Sequence, residues 1–404
     1  MKAKVKVKET KSENRRMPVW ALIITDIVMT GVCLGIFTFY HLVLPRAMTN
    51  GETVIISAED TEDMFTLPGN SVEDNFTEHS STSSKEKASS DSTEDKNTAV
   101  SSEDIATGGV KQSNEDSSTA RSEKQKSTLS SGRNKEKNYG NTNTMDIASD
   151  TSDHSMLTAE RSITKVNSYR SDKLEFVTNK IEVGEGSNKI TYYLSDVYVT
   201  NVKYIMTAFA KGKFGKNLRE KTLSMAKDNQ ALLAISGDFY GNGETGIVIR
   251  NGVLYRSVEN DADVCVLYTD GTMETYSPED FDADEVLKKG AWQAWTFGPQ
   301  LLDGTGNILS VFNTTTFLNS RNPRCAIGYV EPGHYVFLVV DGREEGYSKG
   351  VTLSELALLL KEAGCLTAYN LDGGKSAAMV YQEEYVSKPC EGGRTISDII
   401  YVGE

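Results

Sequence analysis

Histidine is the scarcest reactive residue of this chain, with four in 404 residues. His41 lies in an apolar run, His79 and His154 lie in a polar region, and His334 falls in a predicted hairpin turn. A Ser-His-Asp triad would therefore depend on His334 alone. The same scarcity excludes a zinc site built from histidines.

Cysteine is also rare, and four of the five cysteines follow the polar region: Cys265, Cys325, Cys365 and Cys390. An even number permits disulfides. Their spacing fits no metal motif, so we interpret them as small buried apolar residues.

Basic residues are outnumbered by acidic ones: the chain has 43 Lys and Arg and 57 Asp and Glu, so its formal net charge is −14. A protein that neutralises phosphates needs a basic surface, so nucleic acid is excluded as a partner.

A complete P-loop is missing too. Gly374-Lys375-Ser376 matches its end, but position 369 is Tyr where the motif needs Gly, so no nucleotide cofactor is expected.

The N-terminus combines a basic tail, residues 1–17, with an apolar stretch, residues 18–44. The run from Val19 to Tyr40 has one charged residue, Asp26, and as a helix it could cross a hydrocarbon core of about 30 Å. No small-residue cleavage site follows it, so we predict an uncleaved transmembrane anchor. Because positive charge stays inside, the tail is predicted to be cytoplasmic and the rest extracellular.

Residues 45–165 are predicted to be a disordered linker, since most of this stretch is rich in Ser and Thr and nearly free of aromatic residues. A flexible chain of this length spans about 60 Å, which would hold the folded part off the membrane. The anchor, the long tether and the lack of a disulfide framework together indicate the plasma membrane of a Gram-positive bacterium.

Residues 166–404 have the composition of one folded domain. Residues 190–210 are predicted to form paired strands, and three hairpins are predicted over residues 246–256, 264–276 and 325–340. Helices are predicted over residues 218–230, with Asn217 and Glu220 as a capping box, over residues 282–289, and over residues 352–363, with Thr352 and Glu355 as a capping box. The predicted fold class is α+β, with mixed, mostly antiparallel sheets and a few packed helices.

Three predicted strand ends carry a carboxylate beside glycine, at Asp238, Asp341 and Asp372. Glycine lets a ligand approach the backbone, and acidic residues at strand ends often build a site. Together with Arg324 and Arg343 they predict a polar cleft. Carboxylates can hold hydroxyl groups while guanidinium groups grip phosphate oxygens, so the cleft suits a substrate that is both sugar and phosphate.

Several stretches carry a family resemblance, in the same order as in that family: residues 234–241, 246–255, 297–299, 322–328, 340–343, Thr352 with Glu355, and 370–374. From about Thr191 to Tyr401 the chain resembles the phosphodiester glycosidase domain, known from the mammalian uncovering enzyme of mannose-6-phosphate biosynthesis and from bacterial surface proteins. The resemblance implies hydrolysis of a sugar-1-phosphodiester to a free sugar and a phosphomonoester. The chain departs from the family at Ser236-Gly237-Asp238 and at Lys375, where members commonly have Asn-Gly-Gly or Asn-Gly-Asp and a third glycine.

The resemblance and the residues together assign roles. Either Asp341 or Asp372 is predicted to be the nucleophile or general base. Asp238 and Asn370 are predicted to orient hydroxyl groups or a water molecule. The residues predicted to contact phosphate or substrate are Arg324, Arg343, Asn370, Gly373, Gly374, Ser376, Thr352 and Glu355; the last two are also interpreted as a helix cap.

The predicted function is that of a membrane-anchored extracytoplasmic hydrolase acting on sugar-1-phosphodiesters in cell-surface glycans, such as wall teichoic acid or capsule. The alternative is a non-catalytic module that binds glycopolymer, or an accessory protein of exopolysaccharide assembly. No cofactor is required by the sequence, and the binding of Ca²⁺ or Mg²⁺ through oxygen ligands stays open.

Overall fold

A computed structural model describes residues 19–47, 53–54, 56, 62–68, 157 and 160–404 of the chain. The predicted cytoplasmic tail and most of the predicted linker lie outside these residues. The described helices are Val19–Thr38 (α1), Thr222–Asp228 (α2), Ala283–Lys288 (α3), Thr316–Asn319 (α4) and Leu353–Glu362 (α5). One π-helical turn, Phe39–Val43, continues α1. By length and composition, Ile23–His41 is apolar enough to cross a membrane.

The strands of the described residues, in chain order, are Arg46–Ala47 (β1), Thr53–Val54 (β2), Arg161–Arg170 (β3), Leu174–Val183 (β4), Ile190–Val199 (β5), Ile205–Phe209 (β6), Gly215–Lys216 (β7), Glu220–Lys221 (β8), Leu233–Ser236 (β9), Gly246–Arg250 (β10), Val253–Val258 (β11), Val264–Tyr268 (β12), Met273–Tyr276 (β13), Ala291–Thr296 (β14), Gln300–Asp303 (β15), Arg324–Glu331 (β16), His334–Val340 (β17), Thr367–Leu371 (β18), Met379–Tyr381 (β19), Glu384–Tyr385 (β20), Thr395–Ile396 (β21) and Asp398–Val402 (β22).

Three larger sheets organise the domain, with the strand orders β15-β18-β16-β17-β5-β4-β3, β13-β12-β14-β10-β11-β2 and β20-β19-β9-β22-β6. One hydrophobic core joins them, because Phe337 of β17, Trp295 of β14 and Ile400 of β22 belong to the same buried cluster. Successive side chains of a strand point to opposite faces. Leu338 therefore lies on the other face of the first sheet, where α5 packs.

The structure confirms mostly antiparallel sheets with few helices. Every strand pair among the described residues is antiparallel, so the predicted mixture of parallel and antiparallel strands is wrong. All three predicted hairpins form, as β10–β11, β12–β13 and β16–β17. The capping box of Thr352 and Glu355 at α5 is also present.

Other local predictions differ from the structure. Helix α2 begins at Thr222 with Lys221 as its N-cap, and Glu220 belongs to a strand, so the capping box of Asn217 and Glu220 is wrong. Strands β5 and β6 form as predicted, but they lie in different sheets instead of pairing with each other. Strand β3 begins at Arg161, inside the predicted linker. Propensity alone does not specify which distant strand becomes the partner.

Short pieces of the predicted linker also pair with the domain. Strand β1 pairs with β7, and β2 extends the second sheet by pairing with β11. In residues 62–68, the backbone N–H groups of Met64 and Phe65 donate to the carbonyl of Thr200.

The five cysteines are free in the structure. Cys265, Cys325 and Cys365 are buried, in agreement with their interpretation as apolar core residues. Cys390 is only partly covered.

Candidate active site

A cavity of about 450 Å³ opens where several strands end. Turns that follow β9, β14, β17 and β18 converge there, together with the segment before β16 and the start of α5. The lining residues are Phe239, Phe297, Gly298, Pro299, Thr314, Leu318, Asn322, Arg324, Arg343, Leu353, Asn370, Leu371, Asp372, Gly373, Gly374, Lys375 and Arg394. Of the predicted site residues, the cavity brings together Arg324, Arg343, Asn370, Asp372, Gly373 and Gly374.

Asp372 is the acidic side chain of this lining, and 3% of it is exposed. Nη2 of Arg394 lies 3.0 Å and 3.2 Å from its two carboxylate oxygens. Nε of Arg394 donates to the hydroxyl of Ser376, which fixes the guanidinium plane. Burial raises the pKa of Asp372 above its ordinary value, and Arg394 and Ser376 counteract part of that rise. Asp372 is thus a desolvated carboxylate held in one orientation.

Arg324 and Arg343 supply positive charge without a carboxylate partner among the described residues. Arg324 is 4% exposed, and it donates to the backbone carbonyls of Val351, Leu318 and Ser320 at 2.6 to 3.2 Å. Burial, and secondly the charge of Arg343, lower the pKa of Arg324 to about 10. Arg343 donates to Oδ1 of Asn322 at 2.6 Å. Two guanidinium groups without a carboxylate partner in one cavity have the chemistry to bind an anion.

Glycine is required at the rim after β18. A Cβ on Gly373 would lie 2.8 Å from the carbonyl oxygen of Pro323, so only glycine fits there without a shift. Gly374 has φ +61°, and a Cβ on it would lie 3.4 Å from Nη2 of Arg343. The next residue, Lys375, forms an exposed ion pair with Glu391. The turn therefore brings backbone close to the guanidinium of Arg343.

Asn370 is oriented towards the cavity by one hydrogen bond. Its Nδ2 donates to the carbonyl of Gly298 at 2.7 Å. Its Oδ1 is buried and has no hydrogen-bond partner. A buried polar atom without a partner costs free energy, so this oxygen is available to a donor on a ligand.

Asp238 lies behind the cavity instead of lining it. It is fully buried, and its Oδ2 lies 2.8 Å from Nη2 of Arg250 and accepts from the backbone N–H of Thr296. The same Arg250 pairs with Asp398 at 2.9 Å. Burial, followed by the charge of Asp238, raises the pKa of Asp398 well above its ordinary value. We call Asp238, Arg250 and Asp398 the buried ion cluster.

Asp341 also lies outside the lining, in a second buried position. Its carboxylate accepts from the hydroxyl of Tyr347 at 2.8 Å and from the backbone N–H of Lys388 at 3.0 and 3.2 Å. Burial raises the pKa of Asp341 to about 6, although these hydrogen bonds oppose the rise. The carboxylate thereby links the turn that follows β17 to the segment around Lys388, next to Arg343.

Thr352, Glu355 and Ser376 do not line the cavity. Glu355 caps α5 through the backbone N–H of Thr352 at 2.8 Å and forms an ion pair with Arg321 at 2.5 Å. Both contacts are structural, which agrees with the helix-cap interpretation.

Among the described residues, no group of three or more His, Cys, Asp and Glu could hold a metal ion. His334 pairs with Asp196 outside this lining.

Sequence reasoning missed Arg394, Phe239, Phe297 and Asn322 as members of the lining. The ring of Phe239 lies near two cations: the guanidinium carbons of Arg219 and Arg394 are 4.9 and 5.2 Å from its centroid. Phe239, Phe297 and Asn322 stand within the stretches that carry the family resemblance, so that signal could have found them. Nothing local marks Arg394, which joins the site from the C-terminal segment.

The sequence model of the family described as phosphodiester glycosidase matches residues 229–403. This confirms the resemblance stated above for that part of the chain. The matched residues include all lining residues of the cavity and the whole buried ion cluster.

Two curated relatives illustrate the match. The SPbeta prophage-derived uncharacterized protein YomE of Bacillus subtilis is 35% identical over 185 residues, which cover 44% of this chain and 29% of that protein. The N-acetylglucosamine-1-phosphodiester alpha-N-acetylglucosaminidase of Bos taurus is 37% identical over 75 residues, which cover 19% of this chain and 14% of that enzyme. The chain therefore spans less than a third of the length of the relatives it matches.

Solved structures give more distant matches. The catalytic domain of zebrafish N-acetylglucosamine-1-phosphodiester alpha-N-acetylglucosaminidase, auto-inhibited by its pro-peptide, has a TM-score of 0.48 at 21% identity and covers 61% of this chain and 89% of that one. A putative exported protein of Burkholderia pseudomallei has a TM-score of 0.42 at 11% identity and covers 60% of this chain and 96% of that one.

Proposed function

We propose that this chain, which carries a phosphodiester glycosidase domain over residues 229–403, hydrolyses sugar-1-phosphodiesters at the bond between the anomeric carbon and the phosphate oxygen. One observation carries the proposal. A single cavity combines a desolvated carboxylate, Asp372, with two guanidinium groups, Arg324 and Arg343, that have no carboxylate partner among the described residues. The carboxylate can act at the anomeric carbon of the sugar, and the two guanidinium groups can bind the phosphate.

In this mechanism Arg324 and Arg343 bind the non-bridging phosphate oxygens. As the bond between carbon and oxygen breaks, negative charge grows on the departing phosphate, and the two cations stabilise it. A phosphate held by cations leaves without a proton, so a second carboxylate acting as general acid is not needed. The cavity lining fits this mechanism, because Asp372 is its one acidic side chain among the described residues.

Asp372 acts on the sugar side. It either attacks the anomeric carbon or removes a proton from the attacking water, and it offsets the positive charge of the oxocarbenium-like transition state in both cases. If Asp372 attacks, water then hydrolyses the glycosyl ester that forms; if Asp372 acts as the base, the proton that it takes is the one that water loses. In both routes water supplies the hydroxyl group of the free sugar, and its other proton passes to solvent or to the phosphomonoester, which restores the carboxylate. Arg394 keeps the carboxylate oriented, and Oδ1 of Asn370 accepts a hydrogen bond from a sugar hydroxyl.

We assign Asp238 and Asp341 supporting positions and no contact with substrate. Asp238 holds the turn after β9 through the backbone N–H groups of Tyr240 and Thr296. Asp341 fixes the segment beside Arg343. Ser376 acts through Arg394. Thr352 and Glu355 set the start of α5, whose first residue, Leu353, lines the cavity.

The apolar helix α1 is proposed to anchor the enzyme in the plasma membrane with its domain outside. The substrate would then be a cell-surface glycan or wall glycopolymer that contains glycosyl phosphate. Both statements extend the sequence-based expectation and depend on the helix being inserted.

The test is to incubate the purified full-length chain with a panel of sugar-1-phosphodiesters, including UDP-N-acetylglucosamine and a p-nitrophenyl analogue, with and without Ca²⁺ or Mg²⁺. We expect equal amounts of free sugar and phosphomonoester from at least one substrate. Release of inorganic phosphate without sugar would contradict the reaction class. An Asp372→Asn variant run in parallel controls for contaminating hydrolases.

A second candidate is a module that binds glycosyl phosphate without cleaving it. The observation that favours it is the ion pair of Asp372 with Arg394, which partly neutralises the carboxylate that would react. The two functions differ in one measurement. A binding module would retain the intact diester at equilibrium, with no product after many hours, and Asp372→Asn would leave its affinity unchanged.

A further inference from the structure

Three described pieces of the chain that follow β1, residues 53–54, 56 and 62–68, lie on the domain, and we call them together the strap. Strand β2 pairs with β11, with Val54 opposite Val253. The backbone N–H of Ile56 donates to the carbonyl of Gly252 at 3.1 Å. Further along, the N–H groups of Met64 and Phe65 both donate to the carbonyl of Thr200, at 2.7 and 2.9 Å. The strap is thus hydrogen-bonded at two separate places.

Side chains of the strap fill a groove made by three hairpin turns. Gly252, Gly271 and Gly333 each have φ between +75° and +87°. A Cβ on Gly333 would lie 2.7 Å from Cβ of Phe65, and one on Gly271 would meet the tip of the same ring. A Cβ on Gly252 would lie 2.5 Å from the carbonyl oxygen of Ile56. The groove therefore fits the strap only because three glycines lack side chains.

The strap also contributes to the core. Ile56 and Phe65 pack against the buried cluster that joins the three sheets, and Leu67 is buried. Its end is fixed by Nη2 of Arg170, which donates to the carbonyl of Pro68 at 2.9 Å. Removing the apolar surface of Ile56, Phe65 and Leu67 from water stabilises the docked strap.

Both ends of the region between residues 68 and 157 lie on the same domain. Arg170 at the end of β3 binds Pro68, and Arg161 at the start of β3 binds the carbonyl of Leu157, which is fully buried. On the other side, only Leu44 and Pro45 separate the π-helical turn from β1, which pairs with β7. The chain therefore reaches the domain within a few residues of the apolar helix.

We infer that the groove formed by the turns at Gly252, Gly271 and Gly333 is a docking surface for the strap of the same chain, and that this docking holds the domain next to the apolar helix. Because both flanks of the polar region 69–156 are then fixed to the domain, at Pro68 and Leu157, this region is not the spacer between helix and domain. An intramolecular segment has an effective concentration in the millimolar range, so the strap of the same chain outcompetes that of a second copy.

The first experiment cuts the covalent connection. A site for a sequence-specific protease is inserted after Gly109 in the full-length chain, which is bound to resin through an N-terminal tag. After complete cleavage, verified on a denaturing gel, we expect the domain to stay on the resin. Phe65→Ala should raise the released fraction at least tenfold, because the ring that fills the groove is lost. Phe76→Ala, the same change outside the strap, is the matched control.

The result that overturns the inference is equal release of the domain from the unsubstituted chain and from Phe65→Ala. Circular dichroism of both released domains excludes unfolding as the cause of release. Retention by the unsubstituted and Phe76→Ala chains together with release by Phe65→Ala supports it.

The second experiment tests which copy supplies the strap. Partners in an antiparallel ladder have Cα atoms 4.5 to 5.5 Å apart, a distance that a disulfide can span. In a Cys33→Ser, Cys390→Ser background, the pair Val54→Cys and Val253→Cys should cross-link within one chain at least tenfold faster than Val54→Cys with Val258→Cys, at the far end of β11. A cross-link between two chains, or equal rates for both pairs, would overturn the inference.

Discussion

The cavity and the buried ion cluster contain the same residue types in opposite proportions. The cluster has more carboxyl groups than guanidinium groups, and the cavity has more guanidinium groups than carboxyl groups. In the cluster, two carboxylates, Asp238 and Asp398, share one guanidinium, Arg250, and all three side chains are at most 1% exposed. In the cavity, Arg324 and Arg343 have no carboxylate partner among the described residues, and one carboxylate faces Arg394. The extra carboxyl group of the cluster is buried, where the raised pKa of Asp398 favours its neutral form, while the extra guanidinium groups line the cavity. Only the second imbalance can be completed by a ligand.

The largest effect should come from breaking the cluster. Arg250→Met removes the guanidinium with which both buried carboxylates form ion pairs, so we expect a loss of about 3 to 5 kcal/mol in the free energy of unfolding. Urea denaturation followed by fluorescence measures it. Arg343→Met is the matched control, because the same substitution at an exposed residue should change stability by less than about 0.5 kcal/mol. A stable Arg250→Met protein would contradict the structural role of the cluster.

The second prediction distinguishes Asp372 from Asp341, either of which the sequence allowed as the nucleophile or general base. Asp372→Asn should lower turnover by about 10²- to 10⁴-fold with the fold intact, because it removes the base or nucleophile. Asp341→Asn should lower it much less, since Asp341 lies outside the lining. Rates on a cleaved diester, with circular dichroism of both variants, decide this. The reverse order of effects would move the catalytic role to Asp341.

The third effect probes the positive charge of the cavity. Arg343→Met should raise the KM for the diester by about tenfold or more, because a charge-assisted hydrogen bond to phosphate is lost. Inhibition by inorganic phosphate should weaken in parallel, while inhibition by the free sugar should not change. If inhibition by the free sugar weakened as much as inhibition by phosphate, Arg343 would not be a phosphate ligand.

The smallest expected effect is on the pH dependence of kcat/KM. Burial raises the pKa of Asp372, so the carboxylate is lost as pH falls through a value above that of an ordinary aspartate, and kcat/KM should fall there tenfold per pH unit. Arg394 lowers this pKa, so Arg394→Gln should move the acid limb to higher pH. Arg219→Gln is the control, because Arg219 also lies over the ring of Phe239 but makes no ion pair with Asp372. An unmoved limb in Arg394→Gln would contradict the assignment.

The sequence predicted those parts of the domain that depend on neighbouring residues. The turns at Asn251-Gly252 and Asp270-Gly271 form as predicted, since Asn251, Gly252 and Gly271 have the positive φ that these residue types adopt readily. The start of α5 was predicted from two side chains three residues apart. Most of the cavity could also be predicted, because the family-like stretches mark its strand ends in order.

Long-range pairing could not be predicted in the same way. Arg250 and Asp398 are separated by 148 positions, and nothing near either residue indicates the other. Arg394 and the strap are similar cases. Ile56 and Phe65 of the strap stand in a polar stretch, and they pack only because distant turns provide a groove. Composition describes the average of a region, so it did not detect a short docked segment within a polar one.

The free cysteines have a practical consequence for measuring how this domain opens. Cys265 and Cys325 lie in the core that joins the three sheets, whereas Cys365 lies in the second cluster, beside α5. Burial raises the pKa of all three thiols, so in the folded protein they react slowly with alkylating reagents. Each therefore serves as a native reporter of local exposure. Mass spectrometry of the labelled peptides could show whether the α5 layer separates from its sheet before the central core is disrupted.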